Sequence, residues 1–459
     1  MKQIPLSTAD FGVVDFEKAG VEAADVPGLE QFLLNYRPRY INHSSERYDG
    51  SIPLVFRDQK KQLHWNGSVG VFRMLYPQDQ PKYDLNIRSY SGFDTKDKHY
   101  FLAALLQSWL ENSGNSANFD DMVTGASWDE IFDFMSVAVF RRQLMDAYET
   151  GIYRGYQYFE DNSDRLRGSI DVSRHIRLNL GMRNGKIAMR YRKNTPDNAM
   201  NHLILHTYDE LKQRHPGLVS ALIVGDACGA VLENLRYLAP SYSKTEPVAV
   251  AAKLRQPISN PLYDTYELLR GTCLHILEEQ GVPVFEEGEE RENTILFYSP
   301  DLWENFIDHR ILSRLTGIKL ETQLRLLGFH EQMELRPDFV LFGGNGRIVL
   351  DAKYKKEWGQ FPSIEGLKDD IRQCLVYQTA VQAAYSGIIF PAQKRKKDGD
   401  CKTRFSQFDH RKDGSFRVFD VLLPQDRNSS YQHWREALDA EEAHTAGCID
   451  ALFRELEAQ

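Results

Sequence analysis

The fold is decided by the stretch that runs from Arg336-Pro337-Asp338-Phe339-Val340-Leu341 through Gly343-Gly344-Asn345-Gly346 to Ile348-Val349-Leu350-Asp351-Ala352-Lys353. Glycine and asparagine supply the positive φ angles of a tight turn, so the two apolar runs predict a β-hairpin. Side chains alternate across a strand, which places Asp351 and Lys353 on one face, where Asp338 of the paired run can meet them. Two carboxylates can hold Mg²⁺, and a lysine can stabilise developing charge or help to deprotonate a water. These are the groups that metal-assisted phosphodiester hydrolysis requires.

The same residues also have a simpler interpretation. Pro-Asp is a common turn dipeptide, and Asp-x-Lys on a strand can be a solvated face with a weak ion pair. The upstream sequence favours a site, because Ser299 and Pro300 predict a helix that opens with a hydroxyl cap and a proline in its first turn. Glu304 lies on this helix beside an apolar stripe, although a carboxylate in a first turn is also favoured by the helix dipole.

The downstream sequence extends the pattern. Asp370, Gln373 and Tyr377 follow one another at helical spacing and predict one face of a helix, which leads into an apolar strand at residues 387–391. Gln373 taken alone could be an ordinary polar residue on the exposed face of a helix. The predicted order is a helix with Glu304, two strands with the acids and the lysine, a helix with Gln373, and a strand.

This order is that of the PD…(D/E)xK nuclease core, and the chain resembles the McrC family, the nuclease subunits of McrBC-type modification-dependent restriction systems. The resemblance covers about residues 140–395. It rests on the motifs Leu302-Trp303-Glu304, Arg336-Pro337-Asp338, Asp351-Ala352-Lys353-Tyr354-Lys355, Asp370-x-x-Gln373-x-x-x-Tyr377, Phe390-Pro391, and Leu166-Arg167-Gly168-Ser169-Ile170-Asp171 with Asn198 and Asn201.

The resemblance implies an endonuclease that cleaves double-stranded, methylcytosine-containing DNA with Mg²⁺, or with Mn²⁺ as an alternative ion. It implies that Asp338, Asp351 and Glu304 are metal ligands, that Lys353 is the catalytic lysine, and that Glu304 and Gln373 support catalysis.

The resemblance also implies a partner, a McrB-like AAA+ GTPase hexamer that binds GTP and whose GTP hydrolysis this chain stimulates. The sequence contains no Gly-x-x-x-x-Gly-Lys-Ser/Thr loop, so we expect no nucleotide site in the chain itself. The alternative function is a non-cutting adaptor that activates the AAA+ partner and retains the nuclease fold as a scaffold.

A basic segment lies in the middle of the chain, where residues 165–193 contain nine Lys and Arg against one Asp, in a chain of net charge −9. Alternation at Ile176, Leu178 and Leu180 and a turn at Asn184-Gly185 predict a basic hairpin. It can contact DNA phosphates, an acidic face of the partner, or only solvent as a charged edge strand. The DNA-binding candidates here and in a later basic loop are Arg165, Arg167, Arg174, Arg177, Arg190, Arg192, Lys394, Arg395 and Lys396.

At 459 residues the chain exceeds one ordinary core, and we expect a multidomain α/β and α+β fold. The expected parts are an N-terminal α+β domain at 1–160 that interacts with the partner, a middle domain at 161–285 with the basic hairpin and helices, and a nuclease domain at 286–459. The last part should contain a mixed central sheet flanked by helices and a C-terminal helix. The start of the sequence lacks the pattern of a signal peptide, no apolar run has the length of a membrane span, and five scattered cysteines suit a reducing compartment. We therefore expect a cytoplasmic protein without membrane contact.

Overall fold

The computed structural model describes residues 1–38, 40–42, 52–77, 80, 82–112, 126–181, 184–258, 261–279, 292–327, 334–344, 346–355, 364–394, 416–426 and 428–457. These residues form two compact units. Residues 1–135 and 294–459 make the first, here called the discontinuous unit, and residues 136–293 make the second, the inserted unit.

The described residues form several β-sheets together with helices, which confirms the expected mixed α/β character. As far as residue 149 the elements are β1 (Lys2–Ala9), α1 (Phe16–Ala19), α2 (Val26–Asn35), β2 (Val55–Arg57), β3 (Leu63–Trp65), β4 (Ser68–Tyr76), β5 (Tyr83–Tyr90), α3 (Tyr100–Asn112) and α4 (Trp128–Glu149). The next are β6 (Gly155–Ser163), β7 (Ser169–Ile170), α5 (Val172–Asn179), β8 (Ile187–Thr195), α6 (Ala199–Arg214), α7 (Pro216–Leu222), α8 (Ala227–Leu238), α9 (Pro247–Lys253), a 3₁₀ turn (Pro261–Tyr263) and α10 (Asp264–Glu279).

The remaining elements complete the discontinuous unit. They are β9 (Glu292–Tyr298), α11 (Ser299–Phe306), a π-helical turn (Ile307–Ile311), a 3₁₀ turn (Leu312–Arg314), β10 (Lys319–Thr322), β11 (Leu326–Leu327), β12 (Glu334–Leu335), β13 (Phe339–Gly343), β14 (Gly346–Ala352), α12 (Ile364–Val381), β15 (Tyr385–Ala392), β16 (Phe416–Leu422) and α13 (Tyr431–Glu457).

One sheet of the discontinuous unit joins three N-terminal strands to β9, which begins at Glu292. Its strand order is β1-β5-β4-β9, with β1 parallel and β4 antiparallel to β5. Gly70 of β4 has a φ of +129°, and a Cβ there would lie 2.1 Å from the carbonyl oxygen of Ile295 in β9, so only glycine permits this approach. Leu296 of β9 is buried in the same core cluster as Phe72 and Leu85. The first 135 residues therefore belong with residues 294–459, which differs from the expected boundaries near 160 and 285.

The second sheet carries the predicted hairpin. Its order is β10-β13-β14-β15-β16, in which β14, β15 and β16 run parallel and the other neighbours are antiparallel. Strands β13 and β14 pair from Phe339 opposite Leu350 to Gly343 opposite Gly346, which confirms the hairpin. Helix α12 packs against β14 and β15, and α13 packs against β16. The mixed sheet with flanking helices is thus confirmed.

The inserted unit corrects one prediction. Residues 172–179 are the helix α5, and β8 pairs with β6 from Gly155 opposite Thr195, with β7 on its other edge. The expected basic hairpin is wrong because Asp171 caps the helix, its side chain accepting a hydrogen bond from the Arg174 backbone N–H at 3.0 Å. The alternation of apolar residues at 176, 178 and 180 was therefore misleading.

The start of α11 corrects a smaller prediction. The helix begins at Ser299 with Pro300 in its first turn, as expected, but the cap residue is Tyr298, which makes no side-chain capping bond. The Ser299 backbone N–H instead donates to the carbonyl oxygen of Gly67 at 2.7 Å. In the described part of the chain, no single helix is long and apolar enough to cross a membrane. Helices α7 and α8 have the required length and composition only when taken together, and the chain bends by 106° between them.

Candidate active site

Two carboxyl groups meet at the open end of the β13–β14 hairpin. Asp338 directly precedes β13, and its Oδ2 accepts a hydrogen bond from the Ala352 backbone N–H at 2.8 Å. Asp351 lies near the end of β14 with 2% of its surface exposed. Burial and the negative charge of Asp351 raise the pKa of Asp338 well above its usual value of 3.8, and burial also raises the pKa of Asp351. A divalent cation would relieve this repulsion.

Lys353 completes the triad that the sequence predicted. Its ammonium forms an ion pair with Asp351, lies 3.6 Å from Oδ1 of Asp370, and donates to Oε1 of Gln373 at 3.1 Å. Burial by itself would lower the pKa of Lys353, but the carboxylates of Asp351 and Asp370 outweigh it and raise that pKa. The structure thus brings Asp338, Asp351 and Lys353 together.

Helix α12 supplies the predicted polar face. Asp370 is buried and accepts a hydrogen bond from Nζ of Lys355 at 2.7 Å. Nε2 of Gln373 donates to the hydroxyl oxygen of Tyr377 at 2.8 Å, which leaves the carbonyl oxygen of the Gln373 amide directed at Lys353. Gln373 therefore contacts the triad through the lysine.

Glu304 reaches the triad through a residue that no motif had singled out. Gln323 directly follows β10, and its Nε2 donates to Oε1 of Glu304 at 2.7 Å and to Oδ1 of Asp338 at 2.9 Å. The backbone N–H of Gln323 also donates to the carbonyl oxygen of Asp338 at 2.9 Å. The sequence carries no signal for this role, since it depends on the pairing of β10 with β13.

Tyr354, quoted above only as part of a motif, anchors the chain just after β14. Its hydroxyl donates to Oδ2 of Asp10 at 2.8 Å and lies 2.8 Å from Oγ of Ser91. Its ring centroid is 5.2 Å from that of Phe93 and 6.4 Å from that of Phe101. Burial and the Asp10 carboxylate raise the pKa of the Tyr354 phenol well above its usual value. The residue after Lys353 is therefore held by the N-terminal part of the chain.

The donor set fits a magnesium ion held by two carboxylates. Within the described residues, no group of three or more His, Cys, Asp or Glu side chains is placed to hold a metal ion. Asp338 and Asp351 interact directly, whereas the Gln323 amide lies between Asp338 and Glu304. Mg²⁺ usually retains several waters and binds proteins through one or two carboxylates, so the aspartate pair meets its needs.

The candidate DNA-binding residues of the inserted unit lie around its small sheet. Arg190 forms ion pairs with Glu160 at 3.0 Å and Asp171 at 2.9 Å. The guanidinium of Arg192 lies 5.0 Å and 5.4 Å from the ring centroids of Tyr156 and Tyr158. Arg174 lies 3.6 Å from Glu160, while Arg165, Arg167 and Arg177 are exposed.

The later basic loop is described only at its start. Lys394 is exposed, and Arg395 and Lys396 lie outside the described residues. DNA binding by any of these residues stays a prediction.

Residues 64–391, more than half of the chain, match the family model described as "McrBC 5-methylcytosine restriction system component". One similar solved structure is a refined half-complex from a tetradecameric assembly of Thermococcus gammatolerans McrB AAA+ hexamers with bound McrC, at 16% identity and a TM-score of 0.45, covering 95% of this chain and 99% of that one. Another is the cryo-EM structure of the Thermococcus gammatolerans McrBC complex, at 14% identity and a TM-score of 0.28, covering 66% and 86%. No curated protein matches the chain.

Proposed function

The chain belongs to the McrBC restriction system component family, and we propose that it is the Mg²⁺-dependent DNA endonuclease subunit of a McrBC-like anti-phage restriction complex. The observation that carries the proposal is the convergence of Asp338, Asp351 and Lys353 at one end of the β13–β14 hairpin. The elements α11, β13, β14, α12 and β15 follow one another in the order expected for a PD…(D/E)xK core. This order supports such a core.

The residues of the site divide the chemistry between them. Asp338 and Asp351 would hold Mg²⁺, which when bound polarises a phosphate and lowers the pKa of a coordinated water. Lys353 places a positive charge beside them that would stabilise the negative charge developing on the phosphate. In the metal-free site the neighbouring carboxylates raise the pKa of Lys353 and favour its charged form, which is the form this electrostatic role needs. Gln373 and Asp370 orient the ammonium.

Family membership also supports a partner and a target. We propose that a McrB-like AAA+ GTPase hexamer binds GTP and selects methylcytosine-containing DNA, and that this chain stimulates its GTP hydrolysis. The net charge of −9 supports delegated recognition, because non-specific DNA affinity comes mainly from the neutralisation of phosphates. Both proteins would act in the cytoplasm.

The test is cleavage of methylated DNA by the assembled complex with GTP and Mg²⁺. Lys353→Ala and Asp351→Ala are expected to lower the cleavage rate by at least about 100-fold, because the first removes a preorganised charge-stabilising group and the second removes a metal ligand. Lys319→Ala is the matched control, since Lys319 is exposed, forms an ion pair with Glu321 on its own strand and lies 5.7 Å from the ring centroid of Phe342. Stimulation of the partner's GTPase is measured in parallel and should be retained by all three variants.

Wild-type cleavage rates in both site variants would refute the nuclease assignment. A wild-type complex that hydrolyses GTP faster but never cuts methylated DNA would instead favour the non-cutting adaptor.

A further inference from the structure

A single side-chain amide joins two carboxylates of the candidate site. Nε2 of Gln323 lies 2.7 Å from Glu304 and 2.9 Å from Asp338. An amide nitrogen carries two hydrogens, so Gln323 can donate one to each carboxylate. Hydrogen bonds to ionised acceptors are about twice as strong as those between neutral groups. The amide therefore holds together two groups that would otherwise repel each other.

The backbone of Gln323 has an uncommon conformation at the point where it contacts Asp338. Its φ is +52°, in the left-handed region that residues with a Cβ rarely adopt. Such conformations persist where the surrounding structure enforces them, and they cluster at functional sites. In this conformation Gln323 donates to Asp338 from both its backbone N–H and its side-chain amide.

The remaining oxygen of Asp338 is held as well. Oδ2 accepts from the Ala352 N–H, so among the described contacts each carboxylate oxygen of Asp338 accepts one hydrogen bond from an N–H donor. A carboxylate oxygen has two lone pairs, so these two bonds leave room for a cation. Gln323 and Ala352 thus set the orientation of the carboxylate without using up its capacity to bind metal.

We propose that Gln323 is a positioning residue for the metal site: by joining Asp338 to Glu304, it holds the Asp338 carboxylate in the orientation in which Asp338 and Asp351 bind Mg²⁺. This inference rests on the proposed metal-dependent function and adds Gln323 to its residues. Groups that orient metal ligands typically contribute about 10- to 100-fold in metal affinity or activity.

The variant Gln323→Gly isolates the amide, because glycine adopts a positive φ readily and the backbone conformation is kept. Mg²⁺ is titrated into the full-length chain by calorimetry, and the dissociation constant is expected to rise by about 10- to 100-fold. In the assembled complex, the Mg²⁺ concentration that gives half-maximal cleavage should rise by a similar factor, while the rate recovers at saturating Mg²⁺. A purely structural role would not separate these two quantities.

The chain contains a matched control at Gln382. This residue is also a glutamine with a positive φ, +55°, but it is exposed and follows α12 at the end of the sheet away from Asp351. Gln382→Gly should leave Mg²⁺ affinity unchanged. If Gln323→Gly melts well below wild type, Gln323→Met, which keeps the side-chain length without a donor, should show the same loss of affinity.

The inference alone is overturned if the wild type binds Mg²⁺ and cleaves while Gln323→Gly or Gln323→Met binds Mg²⁺ as tightly. A wild type that neither binds Mg²⁺ nor cleaves in its complex overturns the metal-dependent function, and this inference with it.

Discussion

At the scale of single residues, the ionised carboxylate of Asp338 lowers the stability of the metal-free fold. Its carboxyl group is placed among buried groups and beside Asp351, and both features raise its pKa above 3.8. A group with a raised pKa binds its proton more tightly in the folded chain than in the unfolded chain. The stability of the metal-free protein therefore falls as the pH rises from about 3.8 through the raised pKa, and the full loss is present above it.

We predict that Asp338→Asn weakens the fall in unfolding free energy of the metal-free chain as the pH rises above 3.8, because it removes the carboxyl group whose pKa is raised. The slopes with pH are compared, since both oxygens of Asp338 accept hydrogen bonds and the amide nitrogen of asparagine cannot accept one. Urea denaturation without Mg²⁺ at a series of pH values measures the slopes. Asp369→Asn, at a side chain that is 94% exposed, should leave the stability unchanged. A pH dependence of stability in Asp338→Asn equal to that of the wild type would contradict the prediction.

At the scale of elements, α13 is fastened to the segment that follows α11. Glu442 of α13 is fully buried and lies 2.7 Å from Nη1 of Arg435, 2.8 Å from Nη2 of Arg314 and 3.3 Å from Nε of Arg310. Arg310 lies in the π-helical turn directly after the helix that carries Glu304. The ion cluster therefore joins α13 to the turns that directly follow the helix with Glu304.

We predict that Glu442→Ala lowers the unfolding free energy by about 3–5 kcal/mol, because it leaves the buried Arg435 without its counter-charge. The control lies on the same helix, where the partly exposed Asp450 pairs with Arg454. Asp450→Ala should cost no more than about 1 kcal/mol, as for other surface ion pairs. Equal losses of unfolding free energy for the two substitutions in chemical denaturation would show that the buried cluster stabilises the fold no more than a surface ion pair does.

At the scale of the whole molecule, the candidate site depends on residues that lie far apart in the sequence. Tyr354 follows Lys353, and its hydroxyl donates to Asp10, which is buried and also accepts a hydrogen bond from the Gly92 backbone N–H at 2.5 Å. The same sheet that contains β1 also contains β9, which leads directly into α11 and Glu304. The N-terminal part of the chain thus contacts the segment that follows Lys353, through Tyr354, and pairs with the strand that leads into the Glu304 helix.

We predict that Tyr354→Phe lowers the unfolding free energy by about 1–3 kcal/mol, because the buried Asp10 carboxylate loses a donor. Cleavage by the assembled complex should fall as well, but less than in Lys353→Ala, since the ammonium itself remains. Tyr237→Phe, at a side chain that is 83% exposed, is the matched control for both measurements. Unchanged stability and cleavage in Tyr354→Phe would mean that the N-terminal anchor has no effect on the site.

The sequence by itself determined the parts that depend on local chemistry. Turn residues at 343–346 and alternation in the flanking runs predicted the hairpin that brings Asp338, Asp351 and Lys353 together, and helical spacing predicted the face of α12 with Asp370, Gln373 and Tyr377. The same local rules failed at residues 172–180, where the cap at Asp171 starts a helix that alternation had suggested was a strand.

Only the tertiary structure decided which distant segments meet. It paired β9 with β4, which made one unit of residues 1–135 and 294–459, and it placed Gln323 between Glu304 and Asp338 and Asp10 against Tyr354. The physical reason is the distance along the sequence over which each effect acts. Turn preferences and periodicity act over a few residues, whereas these contacts follow from the packing and strand pairing of residues up to 344 positions apart.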